Sequence, residues 1–285
     1  RKYGDLRAIE IVAAAGFDGV DFNVEGYAFR PAPSPLDLPE KEFEEYFGAI
    51  RKKADECGIA ICQTHNLCGK LYNGDPEHDK KVLYWAERGL KANQVLGCDI
   101  TVVHPISTFD WGADTPDSVM HEWNQKMFGD ILPFAEKYGI TVCPESFGVC
   151  HGRGMHCADN FADPEKMMRE YECMPTENKG FCFDCGHTNA ATQFGFMAPP
   201  DFVRYFGKRI KILHLHDNDG ILDQHLVPRQ GGTINWTELF DALDEVGYSG
   251  FYNYEIGLRY GDHLESMVMA LGGYLREFTE KRGNV

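Results

Sequence analysis

The sequence predicts an eight-fold (β/α) barrel, and three observations carry that prediction. Short apolar runs alternate with amphipathic stretches, strand then helix seven times after an opening helix, which implies parallel strands joined by right-handed crossovers. Six of those runs end in or beside a residue able to hold a metal: His65, His104, Glu145, Asp184, His214 and Glu255, at intervals of 39, 41, 39, 30 and 41 residues. The length of 285 residues suits one large α/β barrel, so a single domain over 1–285 is expected.

The elements follow in order. Residues 5–15 space Leu6, Ile9, Val12 and Ala13 at helical intervals and stop at Gly16. The chain starts directly on this helix, with no initiator Met, so a first strand is expected to be missing from the N-terminus. GVDFNV, 19–24, is a glycine-bounded strand. A Pro-rich loop, RPAPSPLDLP, leads to a charged helix near 39–57 that Gly58 ends. IAICQTH, 59–65, is a strand finishing on His65, and the amphipathic helix 79–96 closes at Gly97. DITVVHP, 99–105, is the next strand. Thr115-Pro116 opens a helix that runs to Tyr138 and stops at Gly139. ITVCPES, 140–146, precedes an unusually long loop containing CHGRGMHC at 150–157. A helix near 163–172 leads to the strand GFCFDCG, and a short helix near 200–207 leads to RIKILHLHD. Asn235 with Glu238 resembles a capping box for the helix 236–246. GFYNYEIG, 250–257, is the last strand and 263–282 the last helix. An open doubly wound sheet would need a Gly-rich phosphate fingerprint after an early strand, and the sequence has none.

Composition narrows the function classes. With 43% apolar and 25% charged residues the chain reads as an ordinary soluble globular protein. No apolar run approaches the roughly 18 residues of a membrane span. A net charge of −16 argues against nucleic acid as a partner, because phosphate contact rests on clustered Lys and Arg. The ten Cys are diluted through the chain, several in strands (Cys62, Cys143, Cys182) where a thiol packs as a small hydrophobe, so a reducing cytoplasm is expected. The oligomeric state, a homo-oligomer included, is left open.

In a barrel, catalytic residues stand at the C-terminal ends of different strands, where the metal-capable residues fall. Asp, Glu and His make up 55 of the 285 residues, a rate at which six successive strand ends would rarely all carry one. Glu145, Asp184, a histidine of LHLHD and Glu255 form a mixed oxygen and nitrogen set, suited to Mn²⁺, Mg²⁺, Zn²⁺ or Co²⁺. His214 and His216 share one strand face, so periodicity leaves both open as that ligand. Two carboxylates flanking a small substrate, beside a divalent ion that polarises a carbonyl, would support proton removal and return by Glu145 and Glu255. Asp223 and His225, with His187, form a further candidate metal set; His65 and His104 would make a third, or these residues would bind substrate. Cys150, His151, His156 and Cys157 fit no common zinc spacing, and a loop covering the substrate is preferred there. Cys185, like Cys182, is expected to pack in the core. Phe109, Trp111 and Phe147 follow strand ends and would roof the barrel or stack on a sugar. Arg153 and Arg229 are candidates to pair with a substrate phosphate or carboxylate.

These residues resemble the xylose-isomerase-like barrel superfamily, which holds sugar and sugar-phosphate isomerases and epimerases as well as endonuclease IV. PES at Glu145, FDCGH at Asp184 and His187, HLHDN from His214, DQH at Asp223 and His225, and NYE at Glu255 spread the resemblance over the whole chain. It implies a (β/α)8 TIM barrel and a metal held by Glu145, Asp184, a strand-seven histidine and Glu255, with the two Glu as acid/base pair and His187 on the substrate. The His-Leu-x-Asp pattern at 214–217 favours His214, whereas the His-x-His of ketose epimerases would favour His216. The Glu-x-Lys pair of true xylose isomerases is absent, since Ser146 and Phe147 follow Glu145. The DQH sequence, with His65 and His104, is closer to the three-zinc pattern of endonuclease IV, whose nine positions all have a counterpart here. The expected function is therefore a divalent-metal-dependent isomerase or epimerase of a sugar or sugar phosphate, in carbohydrate metabolism. A multinuclear zinc phosphoester hydrolase and a non-catalytic sugar-binding barrel are the alternatives.

Overall fold

The computed structural model describes residues 3–28, 34–67, 69, 71–152, 154–258 and 263–284. Arg153 and the start of the Pro-rich loop fall outside these residues.

Helix α1 (Asp5–Ala14) precedes β1 (Gly19–Asn23); α2 (Glu40–Cys57) leads to β2 (Ala60–His65), and α3 (Pro76–Leu96) to β3 (Ile100–Val103). A single turn, α4 (Thr108–Trp111), and the long α5 (Asp117–Tyr138) follow, then β4 (Thr141–Pro144). The stop signals read from sequence lie at the helix ends: Gly58, Gly97 and Gly139 take left-handed conformations with φ of +67°, +71° and +70°. At the start of α3, Asp75 accepts a hydrogen bond from the Glu77 amide with Pro76 in the first position.

Within the stretch expected as loop, β5 (Val149–Gly152) and β6 (Met155–Ala158) pair antiparallel, Cys150 facing Cys157 and His151 facing His156. Four-residue strands rich in Cys, His and Gly lack the β-branched composition by which strands are recognised. Helix α6 (Pro164–Cys173), β7 (Phe181–Asp184), α7 (Cys185–Ala191), α8 (Pro199–Phe206), β8 (Ile210–His214), α9 (Trp236–Glu245) and α10 (Leu264–Glu280) complete the order. The last strand, expected over 250–257, reduces to one parallel bridge between Leu215 and Tyr254.

All wall pairings are parallel. They run β1-β2-β3-β4, cross by bridges Val142–Lys179 and Glu145–Cys182 to β7-β8, and end at Tyr254. No backbone pairing joins Tyr254 to β1 among the described residues; the side chains of Phe17, Val20, Tyr252 and Leu275 line the slot between them.

Strand alternation explains where the polar groups stand. Phe181, Phe183 and Leu213 point outward and pack with Phe202, Phe206, Leu239 and Phe240 of the helical layer. The inner faces of β3, β4, β7 and β8 supply an interior layer of Val102, Cys143, Cys182 and Ile212. Two residues further along each strand, on that inner face, stand His104, Glu145, Asp184 and His214. The apolar layer thus floors a polar one at the C-terminal ends of the strands.

Candidate metal centre

Asp184 shows how the sequence builds the centre. It ends β7 and caps α7, its Oδ1 accepting the His187 amide at 2.7 Å. A capping side chain bonds the amide three residues on, so the Asp-x-x-His spacing follows from the cap and sets both side chains over the barrel mouth. Gly186 lies between them because a Cβ there would stand 2.0 Å from the His216 ring.

Glu145 lies at the middle of the cluster. Its Oε1 is 2.9 Å from His214 Nδ1 and 3.6 Å from His187 Nδ1. Its Oε2 is 2.8 Å from His104 Nε2 and 3.4 Å from His65 Nε2. His214 Nδ1 is also 3.5 Å from Glu255 Oε2 and 3.9 Å from Asp184 Oδ2. Glu145, Asp184, His214 and Glu255 therefore offer donor atoms all within 4.8 Å of one another. A second group, His187, His216, Asp223 and His225, meets the same limit, as does a third of His65, His104 and Glu145. Asp21, His65 and His214 form another, with Asp21 Oδ2 3.4 Å from His65 Nδ1 and 3.5 Å from His214 Nε2.

The second group is oriented from behind. His187 Nδ1 lies 2.8 Å from the Ser146 carbonyl and His225 Nδ1 2.8 Å from the Glu255 carbonyl. A carbonyl only accepts, so each Nδ1 carries the proton and each Nε2 is left toward Asp223, at 3.4 Å and 3.2 Å. His225 stacks on His216 with ring centroids 3.9 Å apart.

Burial and charge pull in opposite directions throughout. Burial pushes the Glu145 carboxyl up, but His214 and His104 beside it outweigh this and hold it well below the usual carboxylate range. Burial likewise opposes ionisation of Asp184, which His187 and His216 reverse, so it too is lowered. Burial disfavours the His65 cation, yet Asp21 raises it to about 10; His225, opposed by burial and favoured by Asp223, rises to about 9. His187 and His214 are also raised well above the ordinary imidazole value against burial, His187 by Asp184 and Asp223, His214 by Cys182, Glu145 and Glu255.

Protons here balance a charge that a divalent cation would balance instead. The residues fit such an ion: Glu145 Oε2 is buried without a hydrogen bond, although His104 Nε2 is near, and the donors are carboxylate and imidazole.

The structure brings together nine of the residues named from sequence: Glu145, Asp184, His214, Glu255, His65, His104, His187, Asp223 and His225. It does not bring Arg229, whose guanidinium lies 3.5 Å from Thr237 on α9. Phe109 and Phe147 line a cavity of about 430 Å³ that His187, Asp223, Cys150, His151 and the buried Asp159 share. Trp111 instead donates to the Tyr72 carbonyl and packs on Trp123. Asp21 carries no motif in the sequence; His216, the alternative ligand for the first group, lies among the donors of the second and also reaches Asp184, its Nε2 3.0 Å from Oδ1. Asp21 belongs to a strand with no metal-capable residue at its end, and only alternation with the outward Phe22 marks it.

The chain belongs to the family described as Xylose isomerase-like TIM barrel, which it matches over residues 9–270. An uncharacterized protein of Methanocaldococcus jannaschii is 29% identical over 168 residues, or 56% of this chain and 51% of that protein, so the match spans about half of the relative's length. Among solved structures, D-psicose 3-epimerase in the presence of D-fructose superposes with a TM-score of 0.74 at 17% identity, covering 99% of this chain and 94% of that one. The IOLI protein with a binding zinc atom gives 0.75 at 16%, covering 99% and 96%. A D-tagatose 3-epimerase-like protein gives 0.71 at 19%, covering 94% and 90%.

Proposed function

We propose that the protein is a divalent-metal-dependent isomerase or epimerase of a sugar or sugar phosphate, acting by proton transfer next to a carbonyl. The observation that carries this reading is the group Glu145, Asp184, His214 and Glu255, drawn from four strand ends into one ring of donors, with His187, 3.6 Å from Glu145, lining a cavity large enough for a small sugar. The sugar 3-epimerases among structures of the same fold support the substrate class, and the zinc in a third supports the cation. A bound cation would polarise the substrate carbonyl and acidify the adjacent C–H.

Glu145, buried and held ionised, takes the proton from carbon. Glu255, the more exposed carboxyl, returns one from the other side. His187 hydrogen-bonds a substrate hydroxyl at the cavity wall, with Phe147 against its ring at 5.6 Å. His65 and His104 flank the second oxygen of the Glu145 carboxylate, at 3.4 Å and 2.8 Å.

The test is exchange of solvent deuterium into a ketose, measured across a panel of free and phosphorylated sugars. Glu145→Gln and Glu255→Gln should each lower it by roughly 10²- to 10⁴-fold. Exchange that survives both substitutions removes the acid/base assignment.

A second reading, a multinuclear phosphoester hydrolase, is favoured by one observation: the His187, His216, Asp223 and His225 group and the His65, His104 and Glu145 group both have metal-holding geometry. Metal content decides between the two. One ion per chain supports the isomerase; two or three, with phosphodiester cleavage, support the hydrolase.

A further inference from the structure

Asp217 is buried at 1% exposure, directly after His216, and its carboxylate belongs to none of the donor groups among the described residues. Among the described residues its carboxylate forms no ion pair, and four N–H groups surround it instead. Oδ1 accepts from the Asn218 amide at 3.0 Å and the Ile234 amide at 3.3 Å, and Oδ2 from the Arg229 amide at 2.9 Å and Trp236 Nε1 at 2.8 Å. Its main chain pairs in both directions with Leu226, each N–H donating to the other's carbonyl at 2.8 Å. Gly232 lets the loop close this tightly, since a Cβ there would stand 1.8 Å from Oδ1.

One side chain therefore ties residues 218, 229, 234 and 236 to the end of the wall, and its backbone fixes the residue that follows His225. The segment so closed carries Asp223 and His225 back to His187 and His216. It also holds two non-glycine residues at positive φ, His225 at 50° and Arg229 at 61°. Such conformations persist only where the surroundings over-determine them. The Arg229 amide and Leu226 are where that constraint is applied.

We infer that Asp217 is a positioning residue: by collecting the amides of the 218–235 segment it sets Asp223 and His225 against His187 and His216, although its carboxylate hydrogen-bonds none of those four side chains. The inference rests on the reading of that group as a cation or substrate site. It also gives the Asp of the His-Leu-x-Asp sequence a role distinct from ligation. Asp217→Asn keeps the shape but puts an amide NH₂ against two of the four donors, so it reverses the pattern the loop needs.

The test uses Co²⁺ titration and backbone hydrogen exchange on the full chain. Asp217→Asn should weaken Co²⁺ binding at the second group roughly tenfold, the scale of losing a partner that orients a ligand. The same substitution in an Asp223→Ala/His225→Ala background should change affinity less than about twofold, because coupled residues are non-additive. Exchange should rise in 219–235 while the amides of Ile210–His214 keep their protection. Trp236→Phe, which deletes a single donor and keeps a smaller aromatic ring in its place, should give a smaller shift in the same direction and serves if the Asn variant folds poorly. An equal loss in both backgrounds, or exchange that rises everywhere alike, overturns the inference. The parent reading is judged apart from it: if Asp223→Ala/His225→Ala binds Co²⁺ and ketose as the unaltered protein does, the ligand site is wrong, while the exchange pattern of Asp217→Asn still decides the clamp.

Discussion

Asp21 and His65 form an ion pair under the main donor group, and the pair makes stability depend on pH in a direction that can be worked out. His65 is raised from 6.5 to about 10 in the fold, so its contribution is fully present below about pH 6.5 and drains away as pH rises through 10. Asp21 is lowered from its ordinary 3.8, with burial opposing and His65 and His214 prevailing. Its contribution is present above that value and lost as pH falls below it. The pair should therefore stabilise the metal-free protein most between about pH 4 and 6.5. Urea unfolding in chelator at pH 6 and pH 9 checks this: the advantage of the unaltered protein over His65→Gln should shrink at pH 9. An advantage of equal size at both values would mean that His65 is not held protonated by Asp21.

Among the elements, the β5-β6 hairpin carries the clearest expectation, because Val149, Cys150 and His151 line the cavity. His151 and His156 meet across it with Nδ1 atoms 3.2 Å apart, and His156 Nε2 donates to Gln193 Oε1 at 3.0 Å, just beyond α7. Losing one such hydrogen bond costs about 1 kcal/mol, or about fivefold in a binding constant. His156→Ala should accordingly raise KM for the ketose about fivefold with kcat held; a fall in kcat at constant KM would show that the hairpin does something other than cover substrate. This element is also where the sequence was hardest to read. The helices α2, α3 and α5 announce themselves by apolar spacing and a closing glycine, which are local signals. The hairpin depends on the register Cys150–Cys157 and His151–His156, which no residue type in that stretch specifies. GFYNYEIG has strand composition but pairs once, because Tyr254 finds a partner only on the Leu215 side among the described residues.

At the scale of the whole molecule, the chain carries a formal charge of −16 and still buries Glu145, Asp184 and Asp217 at its centre. Which residues carry chemistry could be read from the strand ends, because the barrel returns each wall strand to the same rim at a near-constant interval. How they divide into groups could not: His214 and His216 differ by one step of the pleat pair, and only the fold sends the first to Glu145 and Glu255 and the second to Asp184, Asp223 and His225. A cation that neutralises the centre binds the folded state alone, since the donors come from strands 30 to 41 residues apart. It should stabilise by about 2.7 kcal/mol at a hundredfold excess over Kd, or a rise of about 5 °C or more in Tm for a chain of this size. Thermal unfolding of chelated protein, repeated after adding Mn²⁺, Co²⁺, Zn²⁺ or Mg²⁺, measures it. The rise should vanish in Asp184→Asn, because that substitution removes charge from the first donor group and leaves the apolar layer beneath it untouched. If none of the four ions moves Tm, the strand-end residues are a proton-balanced polar network, and the sugar isomerase reading loses its metal.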